Sequence, residues 1–324
     1  MNSRSSILHQ LRSSEKWISS SSLSQELNIS RAAISKHVKI LRELGYEIET
    51  APNRGYHFLS APDLLLAEEI LPLTKSKQIG TAQYRHHHIS TSTNAEAKIL
   101  AEEGCPEGTL VVAEEQTAGK GRKGREWTSP KQAGIYATLV LRPTLPLEDT
   151  PLLTLLTAVV TTEAIIATTD VIPTIKWPND ILLNGKKIAG ILTEVSSEVD
   201  RVEYALIGIG LNVNTPSRKL PKRPIYPASS LKAETGTKHN RAELLAKWLE
   251  IFESEYNQLL AGNRTQLLDH WKKLANIIGK KATITRVNDR ISGTIKDIDT
   301  DGALLLQTKN GNTQRILSGD VSFS

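Results

Sequence analysis

A two-residue turn in the middle of the chain most constrains what it can fold into. The segment Ile181-Leu-Leu-Asn-Gly-Lys-Lys-Ile188 sets Asn184-Gly185 between two apolar runs. Asn-Gly favours the type I′ turn of a β-hairpin, because both central residues of that turn need positive φ. Strands joined in this way are antiparallel. The sheet that contains this hairpin is therefore at least partly antiparallel, which predicts an α+β domain.

The glycine-rich loop at residues 119–125, Gly-Lys-Gly-Arg-Lys-Gly-Arg, matches the dinucleotide pattern G-x-G-x-x-G letter for letter. A Rossmann motif needs a helix next, but a strand pattern follows this loop at residues 134–141. A Walker A motif needs Lys-Ser or Lys-Thr after its last glycine, and Arg125-Glu126 stand there instead. We therefore predict a flexible cationic loop between two strands that orders when an anion binds. The alternative is a solvated basic loop that contacts nothing.

Strand and helix patterns alternate around this loop. Strands are predicted at residues 110–114, 134–141, 172–177, 181–183, 187–195 and 203–208. Helices are predicted to begin at residue 64 and to span 95–102, 151–169, 241–260 and 266–275. Short strands at 282–286, 290–297, 303–308 and 312–317, with turns at 288–289, 299–302 and 309–312, predict a small terminal β-barrel.

The first sixty residues predict a helix-turn-helix followed by a hairpin. A short helix at 23–27, a turn at 28–30 and a helix at 31–44 capped by Ser30 give the first motif. Strands at 46–50 and 55–59 flank a turn with Arg54 near its tip. This order resembles the winged-helix class.

The second helix of that motif has a face suited to a DNA major groove. Its apolar residues Ile34, Val38, Leu41 and Leu44 recur every three or four positions and face the core. The opposite face carries short polar and basic side chains, which read bases and contact phosphates: Arg31, Ala32, Ser35, Lys36 and Lys39. We predict DNA binding by these residues and Arg54; the alternative is a protein-interaction module.

The cysteine content, the apolar runs and the net charge of the chain indicate where the protein is located and what it can bind. Cys105 is the single cysteine, so no internal disulfide forms, and without a local nucleophile signature we expect it to be inert. We find neither a signal-peptide core nor an uncharged run of 18 apolar residues, which predicts a cytoplasmic protein without membrane contact. The net charge of +5 permits a nucleic-acid partner. Residues 86–88, three histidines, are expected to form a polar strand end and not a metal site, since neighbours on a strand face opposite sides.

Three further segments are rich in polar groups. Residues 91–94, Thr-Ser-Thr-Asn, precede a helix and suit a small polar head group such as a ureido ring. Residues 176–180, Lys-Trp-Pro-Asn-Asp, end a strand with a cation, an aromatic ring and a carboxylate. Residues 208–214, Gly-Ile-Gly-Leu-Asn-Val-Asn, close an apolar strand with two glycines that admit close approach.

Together these segments resemble the bifunctional biotin protein ligases that also act as biotin operon repressors. The matching residues, in the family's order, are 92–94, 116–127, 176–180, 187–192 and 208–212, with 30–34 and 36–37 of the repressor type. The resemblance covers nearly the whole chain. It implies an α+β multidomain fold: a winged helix-turn-helix at 1–62, a catalytic domain at 63–276 with a seven-stranded mixed sheet like that of class II aminoacyl-tRNA synthetases, and an SH3-like barrel at 277–324.

The resemblance implies a two-step reaction. Biotin and MgATP give biotinyl-5′-AMP and pyrophosphate, and a lysine of a biotin carboxyl carrier protein of acetyl-CoA carboxylase then takes the acyl group. Lys187, Lys120 and Arg122 would carry the catalysis. The implied biotin-binding residues are Ser92, Thr93, Asn94, Gln116, Gly119, Lys120, Gly121, Arg122 and Lys187. The implied nucleotide-binding residues are Arg122, Lys123, Arg125, Trp127, Lys176, Asn179, Asp180 and Asn212.

Two of these roles keep an alternative. Trp127 is expected to stack on adenine, unless it is only a core aromatic residue. Asp180 is the candidate Mg²⁺ ligand, and equally a turn-forming carboxylate. Two positions depart from the family's pattern: Lys120 replaces its usual arginine and Thr91 its usual aspartate. Because lysine lacks the two-pronged grip of arginine on a carboxylate, we predict weaker biotin binding, which titration of a Lys120→Arg variant tests.

The resemblance also implies regulation. Biotin would be the precursor of a corepressor, the adenylate, whose binding orders loops, promotes a homodimer and fits two recognition helices to operator DNA. Unmodified carrier protein would compete for the dimer surface. Two other functions stay open: a lipoate ligase relative, although the arginine-rich entry and Gly-Gly-Gly stretch of that class are absent, and a ligand-sensing regulator without acyl transfer.

Overall fold

A computed structural model describes residues 3–14, 16–199, 201–221, 227–286 and 289–323. The chain divides into two compact units, Met1–Leu64 and Leu65–Ser324. Of the predicted barrel turn at residues 288–289, Asn288 lies outside the described residues.

The first unit is three helices and a hairpin. These are α1 (Ser3–Ser13), α2 (Ser20–Leu27), α3 (Arg31–Glu43), β1 (Glu47–Ala51) and β2 (Gly55–Ser60). The predicted helix-turn-helix with a wing is therefore confirmed. Helix α2 begins three residues earlier than predicted, because the Ser19 hydroxyl accepts a hydrogen bond from the Ser22 amide and caps it there.

The described part of the second unit contains the central sheet, six α-helices and a barrel. The helices are α4 (Ala67–Ile70), α5 (Thr93–Glu102), α6 (Pro151–Thr168), α7 (Leu231–Thr235), α8 (Arg241–Leu260) and α9 (Arg264–Ala275). The sheet strands are β3 (Gln83–His87), β4 (Thr109–Ala113), β5 (Ile135–Leu141), β6 (Thr174–Lys176), β7 (Asp180–Leu183), β8 (Lys186–Glu198) and β9 (Arg201–Leu211).

The seven strands form one sheet in the order β3-β4-β5-β9-β8-β7-β6. The pair β3–β4 is parallel and every other pair is antiparallel. Asn184 and Gly185 join β7 to β8 with φ of 51° and 74°, as a type I′ turn requires. The predicted mixed sheet is confirmed.

The barrel consists of five antiparallel strands: β10 (Lys281–Thr285), β11 (Arg290–Ile298), β12 (Leu304–Thr308), β13 (Thr313–Ile316) and β14 (Asp320–Phe323). The sequence pattern predicted the first four. The last strand pairs with β10 and brings Asp320 toward the glycine-rich loop of the central domain.

Helix α6 is the core helix of the second unit. It packs on α8, α9 and the sheet, and the segment Leu147–Thr168 is long and apolar enough to cross a membrane by composition. Because 67% of its apolar window is buried against the rest of the chain, its apolarity is accounted for by the protein core. Among the described residues, this is the one helix long and apolar enough to cross a membrane.

A buried carboxylate lies beside the start of α4, which is shorter than the helix predicted from residue 64. Glu114, at the end of β4, accepts hydrogen bonds from the Leu65 amide at 2.6 Å and from Arg241 Nη1 at 2.9 Å. Leu66 has an extended backbone, with φ of −75° and ψ of 152°, so α4 begins only at Ala67 and spans Ala67–Ile70. Burial alone would raise the pKa of Glu114. The hydrogen bond with His86 and the charge of Arg241 outweigh burial, so the pKa lies below its ordinary value.

Candidate active site and DNA-reading face

Two adjoining cavities open on one face of the central sheet. The smaller, of about 40 Å³, is lined by polar groups of α5 and the glycine-rich loop. The larger, of about 300 Å³, lies between that loop, β7, β8 and the barrel. Both cavities are lined by Gly121, Arg122, Trp127, Asn179 and Lys187. These five residues therefore lie at the junction of the two cavities, where a ligand in one would contact a ligand in the other.

Hydrogen bonds fix the polar end of the small cavity. Gln116 Oε1 accepts from the Thr93 amide at 2.8 Å, and Gln116 Nε2 donates to Ser129 Oγ at 2.8 Å. Asn94 Nδ2 donates to Glu194 Oε2 at 2.6 Å, while Thr138 Oγ1 donates to Asn94 Oδ1 at 2.7 Å. These side chains are held in place before any ligand arrives, as a preorganised polar pocket requires.

Trp127 lies across two glycines of the sheet and separates the cavities. A Cβ added to Gly210 would come 2.4 Å from Trp127 Cε2 and Nε1, and one on Gly190 would come 3.1 Å from Trp127 Cζ3. The indole Nε1 is buried without a hydrogen-bond partner. Trp127 is thus a wall of both cavities, beyond the adenine contact expected from the sequence.

Lys187 is at the junction of the cavities and pairs with Asp180. Its Nζ lies 2.5 Å from Asp180 Oδ1 and 5.4 Å from the centre of the Trp127 ring. The two side chains are 25% and 14% exposed. A half-buried cation beside an open cavity can stabilise negative charge that develops there.

The Lys-Trp-Pro-Asn-Asp segment braces this junction. Asn179 Oδ1 accepts from Arg122 Nη1 at 2.9 Å, and Asn179 Nδ2 donates to the Ile191 carbonyl at 2.9 Å. Burial lowers the pKa of Arg122. Lys176 is 4% exposed and lines neither cavity; burial, partly offset by the charge of Asp180, lowers its pKa to about 8.

The glycine-rich loop lies between β4 and β5, as predicted, and holds only a single 3-10 turn at Arg122–Gly124. Asp320 of the barrel binds its outer cations: Arg125 Nη2 lies 2.6 Å and Lys123 Nζ 3.3 Å from Asp320 Oδ2. Burial raises the pKa of Asp320, but the Arg125 hydrogen bond and the two cations lower it overall. The alternative of a solvated basic loop that contacts nothing is therefore wrong.

The structure brings most of the expected site residues together. Of the residues expected to bind biotin, all but Gly119 line the small cavity. Of those expected to bind the nucleotide, the ones that line the large cavity are Arg122, Arg125, Trp127, Asn179, Asp180 and Asn212. Lys123 and Lys176 line neither cavity. Lys123 faces Asp320 instead, because it takes positive φ, 59°, in the turn.

Sequence reasoning missed several lining residues. Gly190 and Leu192 lie within a matched segment, and because they are two residues apart on β8, alternation could have assigned both to the cavity face. Ala228 and Asp320 come from segments with no motif, and only the tertiary fold brings them to the large cavity.

The first unit presents the predicted DNA-reading face. Ile34, Val38 and Leu41 are buried, whereas the opposite side of α3 is exposed: Arg31, Ala32, Ser35, Lys36 and Lys39. Arg42 donates to the Ile48 carbonyl and to Thr50 Oγ1, which ties α3 to the first wing strand. Arg54 is exposed at the wing turn.

Three family profiles match the chain: an HTH domain at residues 3–57, the Biotin/lipoate A/B protein ligase family at 87–212, and the Biotin protein ligase C terminal domain at 277–324. The bifunctional ligase/repressor BirA of Bacillus spizizenii is 40% identical over 308 residues, covering 95% of this chain and 94% of that one. The chain belongs to the biotin protein ligase family. Its domain content is that of the bifunctional ligase/repressors within the family.

More distant relatives agree. BirA of Escherichia coli is 30% identical over 313 residues, covering 93% of this chain and 91% of that one. Among solved structures, the biotin protein ligase of Aquifex aeolicus in complex with biotin and ATP matches with a TM-score of 0.64 and 27% identity, covering 75% of this chain and 98% of that one. The family assignment therefore rests on both sequence and fold.

Proposed function

We propose that this protein activates biotin with ATP in the two adjoining cavities and transfers it to a lysine of a biotin carboxyl carrier protein. The observation that carries this proposal is the junction at Lys187, Arg122 and Trp127, which both cavities share. A reaction between two substrates needs such a shared point, because the reacting atoms must come within about 3.5 Å of each other.

In the first step, a carboxylate oxygen of biotin attacks the α-phosphorus of ATP. An oxygen–phosphorus bond forms, the bond from that phosphorus to the bridging oxygen breaks, and pyrophosphate leaves. Arg122 and Lys187 lie at the junction and offset the growing negative charge, while Lys120 lines the biotin side. Thr93, Asn94 and Gln116 hold the polar head of biotin, since all three line the small cavity.

In the second step, the neutral amine of the acceptor lysine attacks the biotinyl carbonyl. A carbon–nitrogen bond forms, the bond from the carbonyl carbon to the oxygen that bridges to phosphorus breaks, and AMP leaves with that oxygen, which came from the biotin carboxylate. The amine loses a proton to solvent. Lys187 remains beside the leaving phosphate through both steps and supports its charge.

Asp180 is the proposed protein ligand for Mg²⁺. Mg²⁺ in nucleotide sites is held by one or two carboxylates and completed by phosphate oxygens and water. Asp180 fits this pattern, because it lines the large cavity and no described group of three His, Cys, Asp or Glu side chains offers an all-protein site. When bound, the ion would neutralise charge on the triphosphate.

The repressor role rests on the first unit. We propose that α3 reads operator DNA, with Arg31, Ser35 and Lys36 at the groove, and that the adenylate favours a homodimer that spans two half-sites. We further propose a cytoplasmic location, where carrier protein and operator are both available.

The proposal is tested with the purified chain, a recombinant biotin carboxyl carrier domain, and a DNA fragment with the operator. We expect ATP-dependent biotin transfer to the carrier lysine and tighter operator binding with biotin plus ATP than with neither. Absence of transfer with an acceptor that another ligase modifies would reject the enzyme. Equal operator affinity under both conditions would reject the coupling.

A further inference from the structure

A short backbone segment at residues 227–231, here called the bridge segment, holds Lys187 from its main chain. The Lys187 amide donates to the Pro227 carbonyl at 2.7 Å, and the Ser229 amide donates to the Lys187 carbonyl at 2.9 Å. Both the amide and the carbonyl of Lys187 are therefore hydrogen-bonded to the bridge segment. Ala228, which lies between Pro227 and Ser229, lines the large cavity.

The bridge segment also holds the end of β9. Asn212 Nδ2 donates to the Ser229 carbonyl at 3.0 Å, and the Leu231 amide donates to the Asn212 carbonyl at 3.0 Å. Asn212 lines the large cavity as well. The bridge segment thus fixes the positions of Lys187 and Asn212, two residues that line the large cavity.

The carboxylate of Glu234, on α7, fastens this segment to the β7–β8 hairpin. Its Oε1 accepts from Ser229 Oγ at 2.5 Å and from Lys186 Nζ at 2.9 Å, and its Oε2 accepts from Asn184 Nδ2 at 3.0 Å. The Glu234 side chain is 7% exposed. The Ser229 hydrogen bond, with those of Asn184 and Lys186, lowers the pKa of Glu234 to about 2, so the carboxylate stays ionised at any assay pH.

We propose that Glu234 is a positioning residue for ATP: it clamps the bridge segment to the hairpin and thereby holds Lys187, Ala228 and Asn212 around the nucleotide. This role rests on the proposed function. Glu234 lines neither cavity and touches no substrate position.

The clamp acts on one substrate more than on the other. Ala228 and Asn212 line only the large cavity, whereas Thr93 and Gln116 of the small cavity are held by each other and by Ser129. Lys187 lines both cavities, but its pairing with Leu182 of β7 holds it independently of the clamp. Loosening the clamp should therefore weaken ATP binding and leave biotin binding intact, a split that general loss of folded protein does not produce.

The test uses the full chain and its biotin-dependent exchange of pyrophosphate into ATP. The Glu234→Gln substitution keeps the shape of the side chain but removes the negative charge that accepts hydrogen bonds from Ser229, Lys186 and Asn184. Because hydrogen bonds to a charged group are among the stronger ones, we expect the KM for ATP to rise about tenfold or more, with kcat falling less. The Kd for biotin, from calorimetry, should stay within about twofold of wild type.

Two further variants make the test decisive. Ser229→Ala removes one donor to the clamp and should show the same split with a smaller rise in the ATP KM, even where Glu234→Gln folds poorly. Glu243→Gln changes an exposed carboxylate of α8 and should leave both constants unchanged. An unchanged ATP KM in both clamp variants, or equal losses for ATP and biotin, overturns the proposal. Absence of exchange in the wild type would instead reject the proposed enzyme.

Discussion

Replacing Gly210 with alanine should displace Trp127 from the floor of the site. The added Cβ would lie 2.4 Å from Trp127 Cε2 and Nε1, whereas real Cβ atoms essentially never come within 3.0 Å of such atoms, so the ring must retreat by at least 0.6 Å. The backbone of Gly210 does not have positive φ. An alanine at this position therefore fits the backbone conformation, and the strain arises only from its contact with the Trp127 ring.

Overpacking of this kind costs about 1–3 kcal/mol, which corresponds to a loss of about 5- to 150-fold in affinity. Because Trp127 lines both cavities, we expect biotin and ATP to bind more weakly together, in contrast to the ATP-specific effect of the Glu234 variant. Calorimetry with biotin and pyrophosphate exchange at varied ATP measure the two losses.

A Trp127→Phe change supplies the control. The smaller ring leaves room for the alanine methyl, so the double variant Gly210→Ala/Trp127→Phe should lose less activity than the two single losses combined. Gly190→Ala, whose Cβ would lie 3.1 Å from the ring, should displace Trp127 less than Gly210→Ala, but this Cβ would also lie 3.2 Å from Lys187 Cε and Nζ. Wild-type affinity in Gly210→Ala, or strictly additive losses, would refute the reasoning.

Three further outcomes follow from the same contacts. Lys187→Met should lower exchange turnover about 100- to 1000-fold with an unchanged circular dichroism spectrum, because it removes a cation at the reacting centre. Arg241→Met should lower the free energy of unfolding in urea by about 3–5 kcal/mol, since it strands the fully buried carboxylate of Glu114. For Glu253, burial raises the pKa but hydrogen bonds from Ser76 and the amides of residues 77–79 lower it overall to about 2. Its contribution to the free energy of unfolding is therefore present above the ordinary pKa of 4.5 and is lost as pH falls from 4.5 toward 2, so a Glu253→Gln variant should show a flatter acid-unfolding curve.

Local signals predicted most of the architecture. The Asn184-Gly185 turn, the apolar spacing of α3 and the long patterns of α6 and α8 each follow from residues close in sequence, and each is confirmed. Strand β3 was anticipated only as the polar strand end at residues 86–88, because its histidines do not resemble a half-buried strand and its start at Gln83 has no pattern of its own. Helix α4 was predicted to be longer than it is, since the extended backbone at Leu66 delays its start to Ala67.

The candidate site divides in the same way. Residues of contiguous motifs, such as Gln116 and Asn179, could be selected from the sequence because each motif lies on one loop or strand end. Asp320 and Glu234 could not, since each acts across the fold on a segment distant in sequence. Lys123 shows a further limit: its neighbours are correctly assigned, but a local turn directs its side chain to the barrel.

The most direct test of this account is biotin-dependent exchange of labelled pyrophosphate into ATP by the purified chain, with lipoate as the competing acid. The account predicts exchange that requires biotin, is not supported by lipoate, and is lost in Lys187→Met. Exchange supported by lipoate would assign the chain to the other chemistry of its superfamily. Biotin binding without any exchange would leave a ligand-sensing regulator and contradict the proposed ligase.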